Sequence, residues 1–261
     1  MQNEIEQILA RLGGRAACVA LSQEQAGPRE LVSVNPQEVF PAASLAKVPI
    51  LVELARSLSQ PGSVYSWETR LEVPAEARVA SDGVLAELSP DLRPTIQDVA
   101  HLMITISDNT ASNMLLDLLG MEAINATMCD LGLRGTRLER RFIDFEARRA
   151  GRDNWTSAAD MVLLFEQIYR GRVPEQERLI KILLRQNDYH ILPAYWGEDE
   201  PFAHKTGGLP GVMHDAGMLF REPGNWREPL IIAVLTAEQS DLPLTRLHLA
   251  RAGRALRQGW L

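Results

Sequence analysis

Strand-forming signals sit at both ends of this 261-residue chain, and helical periodicity fills the stretch between them. Residues 17–21 (Ala-Cys-Val-Ala-Leu) and 31–34 read as two short strands separated by a Gly-Pro turn. Residues 202–206, 216–220 and 230–235 read as three more, and Pro223-Gly224-Asn225 predicts an antiparallel hairpin for the last two. A final helix spans 243–258 with a loose apolar period, interrupted by Gly253. In the middle, Thr95 caps a helix whose apolar face is Ile96, Val99, Ala100, Met103 and Ile104. Asn109–Leu119 is another, ended by Gly120, and Thr156 or Ser157 caps a third running through Met161, Leu164, Phe165 and Ile168. Residues 140–155 read as one long loop, of a size that tends to be functional. The expected fold is α/β (α+β): a five-stranded antiparallel sheet flanked by helices, with an all-helical second lobe. Residues 1–43 and 193–261 form the sheet lobe and 44–192 the helical lobe, as one integrated catalytic unit.

A formal net charge of -7 excludes a non-specific nucleic-acid binder, because no basic stripe is present to displace counterions. The Arg-rich stretches 137–152 and 246–257 read as solvated faces. Cys18 and Cys129 are too far apart in sequence for a CxxC site and read as buried free thiols. No apolar run reaches the roughly eighteen residues of a membrane span, so no membrane partner is expected. The first eleven residues are acidic and amphipathic, without the pattern of a secretory signal. That leaves a cytoplasmic protein or a mature chain whose signal has been removed. His101, His190, His204, His214 and His248 show no metal-ligand spacing, and no phosphate-binding glycine motif occurs, so no metal or other cofactor is expected. A monomer acting on a small molecule is expected.

Lysine is rare here: three against twenty-four arginines, from a Lys+Arg total of 27. Two of the three sit in short motifs, Ser44-Leu45-Ala46-Lys47 and Lys205-Thr206-Gly207-Gly208, with Ser107-Asp108-Asn109 between them. Arginine cannot lose its proton in a protein, whereas a desolvated lysine can and so can act as a base. Pro49 is best tolerated in a first helical turn, which places Ser44 at a helix N-terminus, where free N–H groups and the dipole suit a developing oxyanion. The i,i+3 spacing puts Lys47 on the same face as Ser44, where a neutral amine could take the hydroxyl proton. Taken singly, each motif also has an ordinary reading: a surface Ser and Lys, a pair of helix caps, a glycine-weakened strand.

Taken together and in this order, the motifs resemble the class A serine β-lactamases among the penicillin-recognising serine hydrolases. The resemblance runs through Phe40-Pro41-Ala42-Ala43-Ser44, Ser107-Asp108-Asn109-Thr110-Ala111-Ser112-Asn113, Thr136-Arg137-Leu138-Glu139-Arg140 and Lys205-Thr206-Gly207. It implies a β-lactamase/transpeptidase-like fold, with Ser44 as the acyl-accepting nucleophile and Lys47 as its base. It also implies that Ser107 shuttles a proton to the leaving nitrogen and that Asn109 holds Lys47 and the substrate's side-chain amide. Lys205, Thr206 and Gly207 would bind the substrate, with a carboxylate on Lys205 and Thr206, and the N–H groups of Ser44 and Gly208 would form the oxyanion hole.

Two departures stand out. The family's water-activating Glu is replaced, in a gapless reading, by Phe142, and its Asn partner by Glu146. Asp144 or Glu146 could supply the missing carboxylate, or both could be solvated partners of Arg141, Arg148 or Arg149. The Arg that commonly supports the substrate carboxylate is replaced by His214, which either serves as a pH-dependent partner or pairs structurally with Asp215. The expectation is efficient acylation by a β-lactam or an acyl-D-amino-acid-like amide or ester, with slow or atypical release. The alternatives are a D-Ala-D-Ala peptidase or esterase, or a penicillin sensor acylated without turnover.

Overall fold

A computed structural model describes the chain from residue 1 to 261, apart from residues 82, 198 and 199. The N-terminal part holds α1 (Gln2–Leu9), β1 (Arg15–Glu24), β2 (Gly27–Val34) and β3 (Val39–Pro41). Next come α2 (Lys47–Leu58), α3 (Ile96–Thr105), α4 (Asn109–Leu119), α5 (Met121–Asp130) and α6 (Phe145–Arg149). They are followed by β4 (Trp155–Ser157), α7 (Ala158–Tyr169) and α8 (Gln176–Leu183). The chain closes with β5 (Phe202–Leu209), β6 (Val212–Leu219), β7 (Leu230–Ala237) and α9 (Leu242–Trp260).

The five long strands form one antiparallel sheet in the order β2-β1-β7-β6-β5, so both chain ends contribute as expected. β7 lies at its centre and all eight of its residues are buried, which its sequence Leu-Ile-Ile-Ala-Val-Leu-Thr-Ala accommodates. Because side chains alternate across a strand, β7 feeds two cores. Ile231, Ala233 and Leu235 join a core shared with α2, α3, α4 and α7, while Leu230, Ile232 and Val234 join a smaller one with α1 and α9. β1 divides in the same way, with Ala17 and Val19 on one face and Ala16, Cys18 and Ala20 on the other. Helix α7 packs against β1, β6 and β7.

Local signals account for the helix boundaries. Thr95 and Asp98 form a reciprocal capping box on α3, Asp108 caps α4 and Ser157 caps α7. Gly253, a weak point in the sequence pattern, has a packing reason: a Cβ there would lie 2.0 Å from the Leu192 carbonyl oxygen, so only glycine lets α9 seat this closely.

Two expectations need correction. Residues 140–155 are not one continuous loop but contain α6 and begin β4, because Asp144 supplies a side-chain cap that starts a turn of helix. Cys129 is exposed near the end of α5, where the helix turns its polar edge outward, and only Cys18 is buried. The short pair β3–β4 was not legible as strands. Among the described residues, no helix is long and apolar enough to cross a membrane.

Candidate active site

Ser44 lies in a tight 3-10 turn, Ala43–Ala46, that runs directly into α2. Pro49 is the third residue of α2, within its first turn, as the sequence required. The turn is pinned from before: Phe40 pairs with Thr156 across β3–β4, and the Ala42 N–H donates to the Asn154 carbonyl at 2.7 Å. Ala43 takes φ +48°, a left-handed conformation that costs a non-glycine residue about 1–3 kcal/mol. Such strain persists only where the surroundings over-determine it.

Lys47 is fully buried one turn after Ser44. Its ammonium donates to the Ser107 carbonyl at 2.6 Å, the Ser107 hydroxyl at 2.9 Å and Asn109 Oδ1 at 2.8 Å. The Ser107 hydroxyl in turn donates to Ser44 Oγ at 2.9 Å. Ser107 is also left-handed, at φ +59°, and this kink between α3 and α4 turns both its hydroxyl and its carbonyl toward Lys47. Ser44, Lys47, Ser107 and Asn109 therefore share one hydrogen-bonded network.

The rest of the central motif holds a loop over the site. Asp108 Oδ2 accepts the N–H groups of Val84 and Leu85 at 2.7 and 2.8 Å, while its Oδ1 caps α4 at Ala111. Thr110 Oγ1 accepts the Val79 N–H at 3.1 Å, and Asn109 Nδ2 donates to Ser81 Oγ at 3.1 Å. Val79, Ser81, Val84 and Leu85 are thus stapled to the start of α4, which brings Ala80 and Ser81 to the cavity.

β5 forms the opposite wall and packs against the Ser44 turn. A Cβ at Gly207 would stand 3.3–3.4 Å from His214 Cδ2, Ala42 O and Ala43 Cβ, so this glycine allows the strand to close on the turn. Lys205 is fully buried, and its ammonium donates to the Thr206 carbonyl at 3.0 Å. Burial lowers its pKa to about 8, against the opposing pull of Asp215 and Asp188. Thr206 is also buried.

The cavity between these walls has a volume of about 350 Å³ and includes Ser44, Asn109 and Gly208 in its lining. Phe142, Ile143, Phe145, Leu209 and Pro210 make it largely apolar. Phe142 is held by Asn113 at both ends of its residue: its N–H donates to Asn113 Oδ1 at 2.9 Å and its carbonyl accepts from Asn113 Nδ2 at 3.2 Å. Its ring centroid lies 4.9 Å from Lys47 Nζ, a cation–π contact. Arg140 also lines the cavity, fixed by a buried ion pair to Asp153 at 2.7 Å. Larger surface depressions elsewhere, such as one lined by Gln97, His101 and Arg178, contain none of these motif residues.

Two expected roles are corrected by this geometry. Asp144 Oδ1 is spent on the Ala147 N–H as the cap of α6, and Glu146 is exposed; neither lines the cavity. The left-handed turn at Ile143, φ +68°, leads into the cap of α6, where Asp144 is spent, and of the next residues Phe145 lines the cavity while the two acids do not. His214 is fully buried, donating from Nε2 to the Pro41 carbonyl at 2.8 Å and accepting the Thr236 N–H at Nδ1 at 3.1 Å. Burial lowers its pKa to about 4, so it stays neutral and acts as a strut between β6 and β3. Asp215 pairs with His204, at 2.8 Å, and not with His214, because neighbouring residues on β6 face opposite sides of the sheet. Ser81 and Phe145 were missed in the sequence reading, since nothing in a loop serine or a lone phenylalanine marks it as facing a cavity.

Comparisons with known proteins agree with this geometry. The profile of the Beta-lactamase enzyme family matches residues 1–260. Beta-lactamase AST-1 of Nocardia asteroides is 30% identical over 243 residues, covering 88% of this chain and 75% of that protein. A crystal structure of a beta-lactamase from Sphaerobacter thermophilus superposes with a TM-score of 0.85 at 28% identity, covering 98% of this chain and 95% of that one. A PBP-A variant, solved as an acyl-enzyme complex with penicillin G, superposes with a TM-score of 0.86 at 28% identity, covering 99% and 95%. With a profile match from end to end and a relative at this level of identity, the chain belongs to the beta-lactamase enzyme family, in its class A serine branch.

Proposed function

We propose that the protein opens the amide bond of a β-lactam through an acyl-enzyme on Ser44 and releases the acyl group slowly. The observation that carries this reading is the contact series from Lys47 Nζ to Ser107 Oγ to Ser44 Oγ, each step 2.9 Å, ending at the cavity. In the proposed reaction Ser44 Oγ attacks the lactam carbonyl while its proton passes toward Lys47, which enters the step as the free amine. The N–H groups of Ser44 and Gly208 receive the oxyanion, and both residues line the cavity. As the tetrahedral intermediate collapses, the C–N bond breaks and Ser107 delivers the proton to the leaving nitrogen. Lys205 and Thr206, buried on β5 just before Gly208 and outside the lining of the cavity, would take the substrate carboxylate.

Release requires a base that activates water. No carboxylate is among the described residues that line the cavity, and Phe142 covers Lys47 with an apolar ring. This favours slow turnover, and it gives weight to a second reading, a penicillin-binding protein acylated without turnover. A D-Ala-D-Ala peptidase or esterase would use the same acylation groups. The relative solved as an acyl-enzyme with penicillin G fits either member of this mechanistic class.

The deciding experiment mixes the protein with a chromogenic cephalosporin and follows absorbance and intact mass together. A burst of about one equivalent, an adduct mapped to the Ser44 peptide and a slow steady phase are expected. A burst with no steady phase selects the non-turnover reading; no adduct on Ser44 removes the nucleophile from the mechanism.

The pH dependence follows from Lys205. Its pKa of about 8 means that the ammonium is present below that pH and lost as pH rises through it. Affinity for a carboxylate-bearing lactam is expected to fall above about pH 8. It should stay flat from pH 5 to 7, because His214, near 4, remains neutral throughout. Lys205→Arg, which cannot deprotonate, should remove the alkaline fall. A step near pH 6–7 abolished by His214→Asn would return the histidine to carboxylate binding.

A further inference from the structure

Resting on the acyl-enzyme reading, we propose that Asp215, held by His204 on the far face of the sheet, is the buried counter-charge that keeps Lys205 ionised for the substrate carboxylate. Lys205 follows His204 on β5, and Asp215 stands opposite Thr206 on β6, so the two charged residues are near neighbours in the ladder. They face opposite sides of the sheet. Ala203 and Ala216, on the side of Lys205, belong to the larger core, whereas Phe202 and Met213, on the side of His204 and Asp215, belong to the smaller one. Both charged groups are fully buried. Among the described residues the Lys205 ammonium has one hydrogen-bond acceptor, the Thr206 carbonyl, and no carboxylate within ion-pair distance. A buried charge with so little solvation persists only near an opposite one. Asp215 pulls Lys205 toward its charged form more strongly than Asp188 does.

The surroundings of Asp215 suit a negative charge. Its Oδ1 accepts from His204 Nδ1 at 2.8 Å, and its Oδ2 accepts the Leu192 N–H at 3.2 Å. Burial pushes its carboxyl up, and these two bonds pull it back down. His204 is fixed for this contact: its ring stacks on Phe202 at 4.3 Å and lies 5.6 Å from the ring of Tyr189. Its Nε2 is buried and has no partner among the described residues. A proton there would find no acceptor, so the imidazole keeps its hydrogen on Nδ1, aimed at Asp215. The pair then carries one negative charge, which the ammonium of Lys205 balances. Other groups near β5 do not replace it. On α8, which packs against β5, Arg178 and Lys181 are paired with Glu175 and Glu177. Lys47, just after the Ser44 turn, is itself a cation, and His214 on β6 stays neutral. Asp188, after α8, is partly exposed and hydrogen-bonded to His190, so solvent screens it.

The chain has only three lysines, Lys47, Lys181 and Lys205, so isotope labelling of lysine Cε gives three NMR signals, and Lys205→Arg identifies the one of interest. Its titration midpoint is about 8 in the parent. In Asp215→Asn the midpoint is expected to fall by about one pH unit, the scale of one nearby charge in a poorly solvated site. This variant keeps its bonds: the Asn amide donates to His204 Nδ1 once the imidazole hydrogen moves to Nε2, and its oxygen still accepts from Leu192. His204→Phe preserves the ring stack and removes the donor to Asp215; it should move the midpoint the same way, and it decides the matter if Asp215→Asn does not fold. Asp188→Asn should move it less. Acylation of Ser44 by benzylpenicillin, taken relative to the methyl ester that lacks the carboxylate, should drop about fivefold in Asp215→Asn at pH 8 and stay within about twofold of the parent at pH 6. A Lys205 midpoint unmoved in both Asp215→Asn and His204→Phe overturns the proposal, as does an acylation loss of equal size at the two pH values, the mark of a purely structural role. No adduct from benzylpenicillin on the parent protein would instead sink the acyl-enzyme reading, and the lysine titration would still report on the counter-charge by itself.

Discussion

Lys47→Arg is expected to slow acylation of Ser44 by about 10²- to 10⁴-fold, the usual contribution of a positioned general base. The positive charge survives this substitution, so the result separates charge from proton transfer. A guanidinium keeps its proton at any pH a protein tolerates, whereas an amine can arrive deprotonated and accept the hydroxyl hydrogen. Geometry adds to the loss. Among the described residues, acceptors lie at 2.6, 2.9 and 2.8 Å from the ammonium, in a fully buried position under the Phe142 ring. A planar fork fits neither that volume nor that arrangement. Lys47→Ala tests the structural share: it leaves the Ser107 carbonyl and Asn109 Oδ1 without their donor, at a cost of about 1–3 kcal/mol for each unpaired group. Its thermal midpoint should therefore drop while Ser44 remains in place. Acylation by Lys47→Arg within about tenfold of the parent rate, read as mass adduct against time, would remove Lys47 as the base.

Much of this was legible before any coordinates. Short apolar runs and turn residues mark the strands, because β7 and β1 bury both faces and need near-continuous apolar runs. Thr95 and Ser157 mark helix starts through side chains whose hydrogen bonds are local, and Gly120 marks a helix end through a backbone at φ +81°, so sequence neighbours suffice to read them. The motif residues were readable because their chemistry is tied to fixed short spacings. What escaped depends on contacts between distant segments. Ser81 matters through Asn109, 28 positions away, and His214 is neutral because β3 and β7 close around it. Asp215 was within reach of either histidine by sequence, and only the facing of β5 and β6 selects His204. Asp144 carried two readings, a site carboxylate and a solvated partner of an arginine, and the structure gives it a different one, the cap of α6 after the left-handed turn at Ile143.

Phe142→Glu is expected to shorten the lifetime of the penicilloyl adduct by about 10²- to 10⁴-fold, because it puts a base where the apolar ring now stands. The direction of the new side chain is set by the backbone, and Asn113 holds both the N–H and the carbonyl of residue 142. The carboxylate would enter from the same Cα and meet the Lys47 ammonium, whose nitrogen lies 4.9 Å from the present ring centroid. Attraction between charges about 4 Å apart amounts to about 4 kcal/mol at an effective dielectric of 20, which offsets much of the cost of burying the acid. Losing a packed ring costs stability, on the scale of about 3 kcal/mol or more for a buried phenylalanine, so a lower thermal midpoint is expected alongside faster release. The smaller side chain also opens space in the cavity that Phe142 and Ser44 both line. Phe142→Gln is the necessary partner variant: it opens similar space and has similar polarity, yet it cannot take a proton, so its adduct should decay far more slowly than that of Phe142→Glu. Equal decay in the two variants would mean that space alone limits release. A Phe142→Glu adduct as persistent as the parent's would mean that the missing base lies elsewhere, and that this phenylalanine is not what holds the acyl group on Ser44.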